Sequence, residues 1–346
     1  MIHPRTLSAA AVLLLAVTIA AASARDLTVV SRGEALSEAT RKVFATPFAG
    51  AAAIPTQTES WDGGLDALRG QAKGADSVWD IVQVDAEELA TGCNEGLFER
   101  IDWSAIGGRD HYLPAATFDC GVGAVVNTLV LAWDRDKFPG TPSWADFWDV
   151  AKFPGKRALP RGVRGNLEIA LMADGVAPGD VYKTLGSADG VDRAFRKLDQ
   201  LRPYLAFWQD GAEATHLLAS GDVLMTSAPA DRVAAANHSD HRNFGVQWTG
   251  SLYEFLSWAV LRGTGNVRQA PQFLYFAGTP AIQGQLVPVA GTGGLAKGAN
   301  DLLAPDVAAL SPSNPTNLTA GLHTDAGFWH DNQARLSQRF DAWLAH

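Results

Sequence analysis

Short apolar runs alternate along this chain with stretches in which apolar positions recur at helical spacing. Leu27-Thr-Val-Val30 is a strand-like run; after Ser31-Arg32-Gly33, apolar residues fall at Leu36, Ala39, Val43 and Phe44, as on one face of a helix. The pattern repeats with a strand near Pro55 to Thr58, a loop through Trp61-Asp-Gly-Gly64, a helix carrying Leu65 and Leu68, and the strand Trp79-Asp-Ile-Val-Gln-Val84 before Asp85. Such alternation predicts an α/β sheet covered by helices.

The apolar run Ala124 to Trp133 gives way to Asp134-Arg-Asp-Lys137 and then to Pro139-Gly140 and Pro142, a polar, turn-rich break where a domain can end. Beyond it, Ser143-Trp-Ala-Asp146 has the form of a capping box, and the helix it starts should stop before Phe153-Pro-Gly155. A strand around Ala158-Leu159, a helix after Gly165, a helix with Val191, Phe195 and Leu198, and a strand near Leu205 to Trp208 follow. Further strands fit Val223 to Thr226, Phe244 to Trp248 and Trp258 to Leu261, and the C-terminal stretch repeats helical spacing through Leu336, Phe340 and Trp343.

The first residues have a separate character. Arg5 precedes an apolar run from Leu7 to Ala22 that ends at Ala22-Ser-Ala24, the form of a secretory signal peptide cleaved after Ala24. The run is short for a membrane span. A periplasmic protein is therefore expected, with residues 1–24 removed and a mature chain long enough for two domains. The 346 residues carry a net charge of −9, so no basic face is available for nucleic acid or an anionic membrane. Cys93 and Cys120 are the only cysteines, and in an oxidising compartment a bridged pair is expected over two buried thiols.

Enzyme signatures are missing. There is no Gly-x-Ser-x-Gly elbow, no phosphate-binding loop and no complete dinucleotide fingerprint; Gly121-Val-Gly123 and Gly263-Thr-Gly265 read as tight turns. His238-Ser-Asp-His241 reads as a solvated loop, and no Cys/His cluster has metal-ligand spacing. No catalytic residue, metal or cofactor is expected.

Several segments together resemble the extracellular solute-binding proteins of the spermidine/putrescine type that serve ABC importers. They are Leu27-Thr-Val-Val-Ser31, Glu59-Ser-Trp-Asp-Gly-Gly64, Trp79-Asp-Ile-Val82, Gly92-Cys-Asn-Glu-Gly-Leu97, Cys120-Gly-Val-Gly123, Ser143-Trp-Ala-Asp-Phe-Trp148, Arg164-Gly-Asn-Leu-Glu-Ile-Ala-Leu171 and Gly221-Asp-Val-Leu-Met225. The resemblance spans essentially the whole chain after residue 24. It implies a periplasmic-binding-protein fold of two α/β lobes, each a mainly parallel sheet flanked by helices, joined by crossing strands and closing on a ligand in the cleft. Lobe 1 is then expected at 25–133 plus about 258–303 and lobe 2 at 134–257 plus about 304–346, with hinges near Trp133-Asp134 and Ser257-Trp258. The implied partners are a small solute and an inner-membrane ABC permease, and the protein is expected to act as a monomer.

Polyamine binders of this family close acidic and aromatic side chains around a protonated amine. Here the corresponding positions hold Arg32, Gly165, Leu256, Val289 and Pro229. The remaining candidates near the implied cleft are Arg32, Glu34, Trp61, Asp62, Asp85, Arg161, Arg164, Trp208, Arg232, Trp248, Tyr253 and Glu254. Arg32 follows the first strand, and Arg161 and Arg164 precede a helix whose free N–H groups favour an anion. The expected ligand carries a carboxylate, with Glu254 or Asp85 left to take an ammonium. Alternatively the arginines pair internally with Glu34, Asp62 or Glu168, and Trp208 and Trp248 are simple core residues. A secreted enzyme or a non-transporting sensor on the same fold stands as the competing function.

Overall fold

The computed structural model describes residues 25–73 and 78–345; the expected signal peptide, 1–24, lies outside them. Ten strands form one mixed sheet: β1 (Leu27–Arg32), β2 (Thr56–Trp61), β3 (Ile81–Val84), β4 (Val122–Asp134), β5 (Arg157–Pro160), β6 (Leu205–Trp208), β7 (Met225–Pro229), β8 (Phe244–Val260), β9 (Gly293–Gly294) and β10 (Leu322–His323). The order is β2-β1-β3-β8-β4-β7-β5-β6, with β9 against β4 and β10 against β8. β1 runs parallel to β2 and β3, and β5 parallel to β6 and β7, whereas β8 is antiparallel to both β3 and β4. Parallel outer strands thus flank a central antiparallel pair.

That pair makes the protein two-lobed. Near one end, Val122, Ala124 and Val125 of β4 pack with Leu256, Trp258 and Val260 of β8 in the core of the first lobe. Near the other, Leu131 and Trp133 join the core of the second lobe, while Val130 and Ala132 pack with Phe244 on the opposite face of the sheet. Successive strand residues point to opposite faces, so the apolar runs on either side of Asn127-Thr128 are what a strand covered on both sides requires. The same division puts Val29 and Ile81 in one layer of the first lobe and Val30, Val82 and Val84 in the other. Trp133-Asp134 and Ser257-Trp258 lie at opposite ends of the β4–β8 pairing, and the change from one core to the other falls between them.

β8 departs from the sequence reading, which splits it into strands at Phe244–Trp248 and Trp258–Leu261. Gly250, at φ +73°, absorbs a bulge and the strand continues for 17 residues. The ladder to β4 jumps there, from Leu129 opposite Leu252 to Leu131 opposite Gln247. Elsewhere the expected elements form. The capping box at Ser143 and Asp146 starts the helix Trp144–Trp148, and the C-terminal helix Ala326–Leu344 buries Trp329, Leu336, Phe340 and Trp343 against the second lobe.

Cys93 and Cys120 are bonded, with Cα atoms 5.7 Å apart. The bond ties the helix Ala86–Asn94 to the chain entering β4. A closed loop of 27 positions removes about 3 to 4 kcal/mol of unfolded-state entropy. Urea titration of the reduced protein should show that loss as a lower midpoint; an unchanged midpoint on reduction would rule it out.

Candidate functional site

Where β4 and β8 cross between the lobes, two adjoining cavities of about 260 and 110 Å³ share Arg164, Glu254 and Thr324 as walls. The larger is bounded by Asn127, Thr128 and Leu129 of β4, by Leu252, Tyr253 and Glu254 of β8, and by Trp208 at the end of β6. The smaller adds Asp85, Glu87, Phe118, Phe255 and His323. Together they form one cleft.

Arg164 reaches the cleft because the next residue is glycine. Gly165 has φ +87°, a region that L side chains rarely adopt, and a Cβ there would lie 3.3 Å from Leu129 and 3.5 Å from Leu252. Its N–H donates to Glu168 Oε2 at 2.9 Å, which opens the helix Asn166–Ala173 directly behind the arginine. The Arg164 guanidinium makes no hydrogen bond or ion pair among the described residues, and its buried Nε is without a partner. Its one neighbour of note is the ring of Trp329, 5.6 Å from the guanidinium carbon. Two other buried donors in the same cavity also lack partners, Trp208 Nε1 and Thr128 Oγ1. A buried donor left unpaired costs about 1–3 kcal/mol. A cavity lined by three of them, one cationic, is therefore built for an acceptor from outside the chain.

The opposite character prevails next to it. Glu254 accepts from Asn127 Nδ2 at 3.0 Å and pairs with no cation among the described residues, and Asp85 and Glu87 line the smaller cavity with Phe118 and Phe255. Asp85 is the N-cap of the helix Ala86–Asn94, accepting from the Glu88 N–H at 2.9 Å. Glu87 meets His330 Nδ1 at 2.9 Å across the mouth of the cleft, so the first lobe's helix touches the second lobe's C-terminal helix through an ion pair. The Glu87 hydrogen bond and charge raise the His330 pKa, so the contact is strongest with the imidazole protonated.

The other expected residues are placed elsewhere. Arg32 is held inside the first lobe by a close ion pair to Glu88, by Asp85 at 3.4 Å, by the Asp62 carbonyl at 3.2 Å and by the face of Trp61 at 5.0 Å. Its charge is spent on Glu88, whose own pKa burial pushes up, helped by the Asp85 charge and opposed by Arg32. Trp61 is a core residue donating to the Gln83 carbonyl at 3.0 Å. Glu34 is exposed and accepts from Ser60, and Asp62 and Arg161 are exposed as well. Arg232 lines a separate crevice with Leu36 and Lys42, and Trp248 lines an apolar one of about 350 Å³ with Val246 and Leu310. The cleft thus brings together Asp85, Arg164, Trp208, Tyr253 and Glu254. Thr128, Glu87, His323 and Trp329 were not expected: Thr128 hides in an apolar strand, and Trp329 reads as one more core position of an amphipathic helix.

No helix among the described residues is long and apolar enough to cross a membrane, and no group of three or more His, Cys, Asp or Glu among them is placed to hold a metal. Residues 46–316 match the model of the bacterial extracellular solute-binding protein family. The chain belongs to that family. A gamma-aminobutyric acid-binding protein of Pseudomonas aeruginosa is 39% identical over 327 residues, covering 94% of this chain and 93% of the relative. Among solved structures, an ABC transporter substrate-binding protein from Bradyrhizobium japonicum superposes with a TM-score of 0.81 at 30% identity, covering 92% of this chain and 98% of the other. A GABA receptor superposes at 0.78 and 26% identity, covering 92% and 97%. A spermidine/putrescine ABC transporter substrate-binding protein from Streptococcus pneumoniae, at 0.75 and 16% identity over 92% and 99%, shares the fold alone. Like its relatives, this solute-binding protein is the substrate-binding component of an ABC transporter for a small solute and is not an enzyme.

Proposed function

We propose that the cleft captures a small ω-amino acid of the γ-aminobutyrate type and presents it to an importer permease from the periplasm. The observation that carries this reading is the set of unpaired donors, Arg164 Nε, Trp208 Nε1 and Thr128 Oγ1, on one cavity. A carboxylate satisfies all three, and guanidinium binds it with charge-assisted bonds. Glu254, with Asp85 and Glu87 beyond it, offers the ammonium an anionic end beside Phe118 and Phe255. Separated charges suit a molecule whose amine and carboxylate are several carbons apart. A polyamine, cationic at both ends, would have to set one ammonium against Arg164. The γ-aminobutyrate named for the 39% identical relative has the required form.

Closure is proposed to turn on the crossing strands β4 and β8 near Trp133-Asp134 and Ser257-Trp258, between lobes of about 25–133 with 258–303 and 134–257 with 304–346. Export is proposed to remove residues 1–24. Titration calorimetry with γ-aminobutyrate, putrescine and butyrate tests the ligand class, since the three share a four-carbon chain and differ in their end groups. Gamma-aminobutyrate should bind about a hundredfold or more tighter than either, the cost of leaving a buried charged group unpaired at one end. Putrescine binding as tightly as γ-aminobutyrate would overturn the proposal.

A further inference from the structure

Arg164 has no carboxylate among the described residues to hold it, yet an arginine free to sample its rotamers would lose much of its binding energy to ordering. The structure supplies a different restraint. Trp329, fully buried on the helix Ala326–Leu344, lies under the guanidinium at 5.6 Å, and its Nε1–H donates to Glu168 Oε1 at 2.8 Å. Glu168 also accepts from Tyr182 Oη at 2.9 Å and from the Gly165 N–H at 2.9 Å. One buried carboxylate therefore fixes both the backbone beside Arg164 and the ring beneath it. Of the three donors, Gly165 lines the same cavity as Arg164, whereas Tyr182 and Trp329 stand behind its wall.

We infer that Trp329 is a positioning residue, an aromatic platform locked by Glu168 that holds the Arg164 guanidinium flat and aimed into the cleft before the ligand arrives. This rests on the reading of Arg164 as the carboxylate anchor. Stacking of guanidinium on an aromatic face at this distance is worth a few-fold to about thirtyfold in affinity. Trp329→Phe keeps a ring face and drops the bond to Glu168; Trp329→Leu removes the platform.

Two measurements separate this inference from the ligand proposal. In ligand-free protein labelled with ¹⁵N-arginine, the Arg164 Nε–H resonance, assigned by its loss in Arg164→Lys, should carry the ring-current shift of the indole and should move towards the free-arginine position in Trp329→Leu. That readout needs no ligand, so it stands even if γ-aminobutyrate fails to bind the parent. For γ-aminobutyrate itself, Kd should rise about threefold in Trp329→Phe and about tenfold in Trp329→Leu. Both losses should shrink in the Arg164→Lys background, where no planar group is left to stack. A folded Trp329→Phe or Trp329→Leu protein with an unmoved Arg164 resonance overturns the inference, as does an equal loss of affinity in the two backgrounds, which marks a merely structural role.

Discussion

Replacing Arg164 by alanine is expected to weaken γ-aminobutyrate binding by about thirtyfold or more while leaving the fold intact. The size follows from removing the only cationic partner of a buried carboxylate, a loss of about 2–5 kcal/mol. The fold should tolerate it because the Arg164 guanidinium pairs with no acid among the described residues and is half-buried at the cleft wall. Arg32→Ala makes the contrast. There the guanidinium neutralises Glu88, a buried acid, so its removal should lower stability by about 2 kcal/mol or more and act on binding only through the first lobe's frame. Calorimetry on both variants, with urea denaturation beside it, checks the assignment. Loss of affinity in Arg32→Ala with none in Arg164→Ala would exchange their roles.

Asp80→Ala should cost about 3–5 kcal/mol of stability, among the largest single effects in the molecule. Asp80 is completely buried and collects five donors: both Nη atoms of Arg25 at 2.7 Å, the Thr28 N–H at 2.8 Å, Asn266 Nδ2 at 2.9 Å and the Thr264 hydroxyl. It clamps the start of β1 to the loop that follows β8. Alanine takes the shared acceptor away from a cation and three polar groups. Asp80→Asn preserves shape and two acceptor sites on one oxygen, and should cost less. Arg25→Ala should cost less again, since that side chain is a third exposed and the remaining donors keep their acceptor. A denaturation midpoint for Asp80→Ala within error of the parent would show that the clamp contributes nothing.

Most of the fold was legible in the sequence because buried strands leave little choice of residue. Apart from Gln83 and the cleft residues Asn127 and Thr128, Ile81 to Val84 and Val122 to Trp133 are apolar on both faces, and their turns are marked by Asp, Pro and Gly. The continuity of β8 was not, since a bulge centred on Gly250 has the same local chemistry as a turn and only the ladder to β4 distinguishes them. Arg164 could be read from its place before a glycine-started helix. Arg32 has an equally suggestive place, and what removes it from the cleft is Glu88, 56 positions away on a neighbouring helix. Arg232 and Trp248 sit on elements of the right lobe but line other crevices, a distinction of facing that no linear pattern carries. The Trp329 platform lies 165 positions from Arg164 and depends on Glu168, a residue that sequence alone marks only as a possible ion-pair partner.

A crystal structure of the protein grown with γ-aminobutyrate tests the central claim most directly. The account predicts the carboxylate on Arg164 within hydrogen-bond reach of Trp208 Nε1 and Thr128 Oγ1, and the ammonium on Glu254. A carboxylate seated on Arg32 or Arg232, or an ammonium beside Arg164, would contradict it.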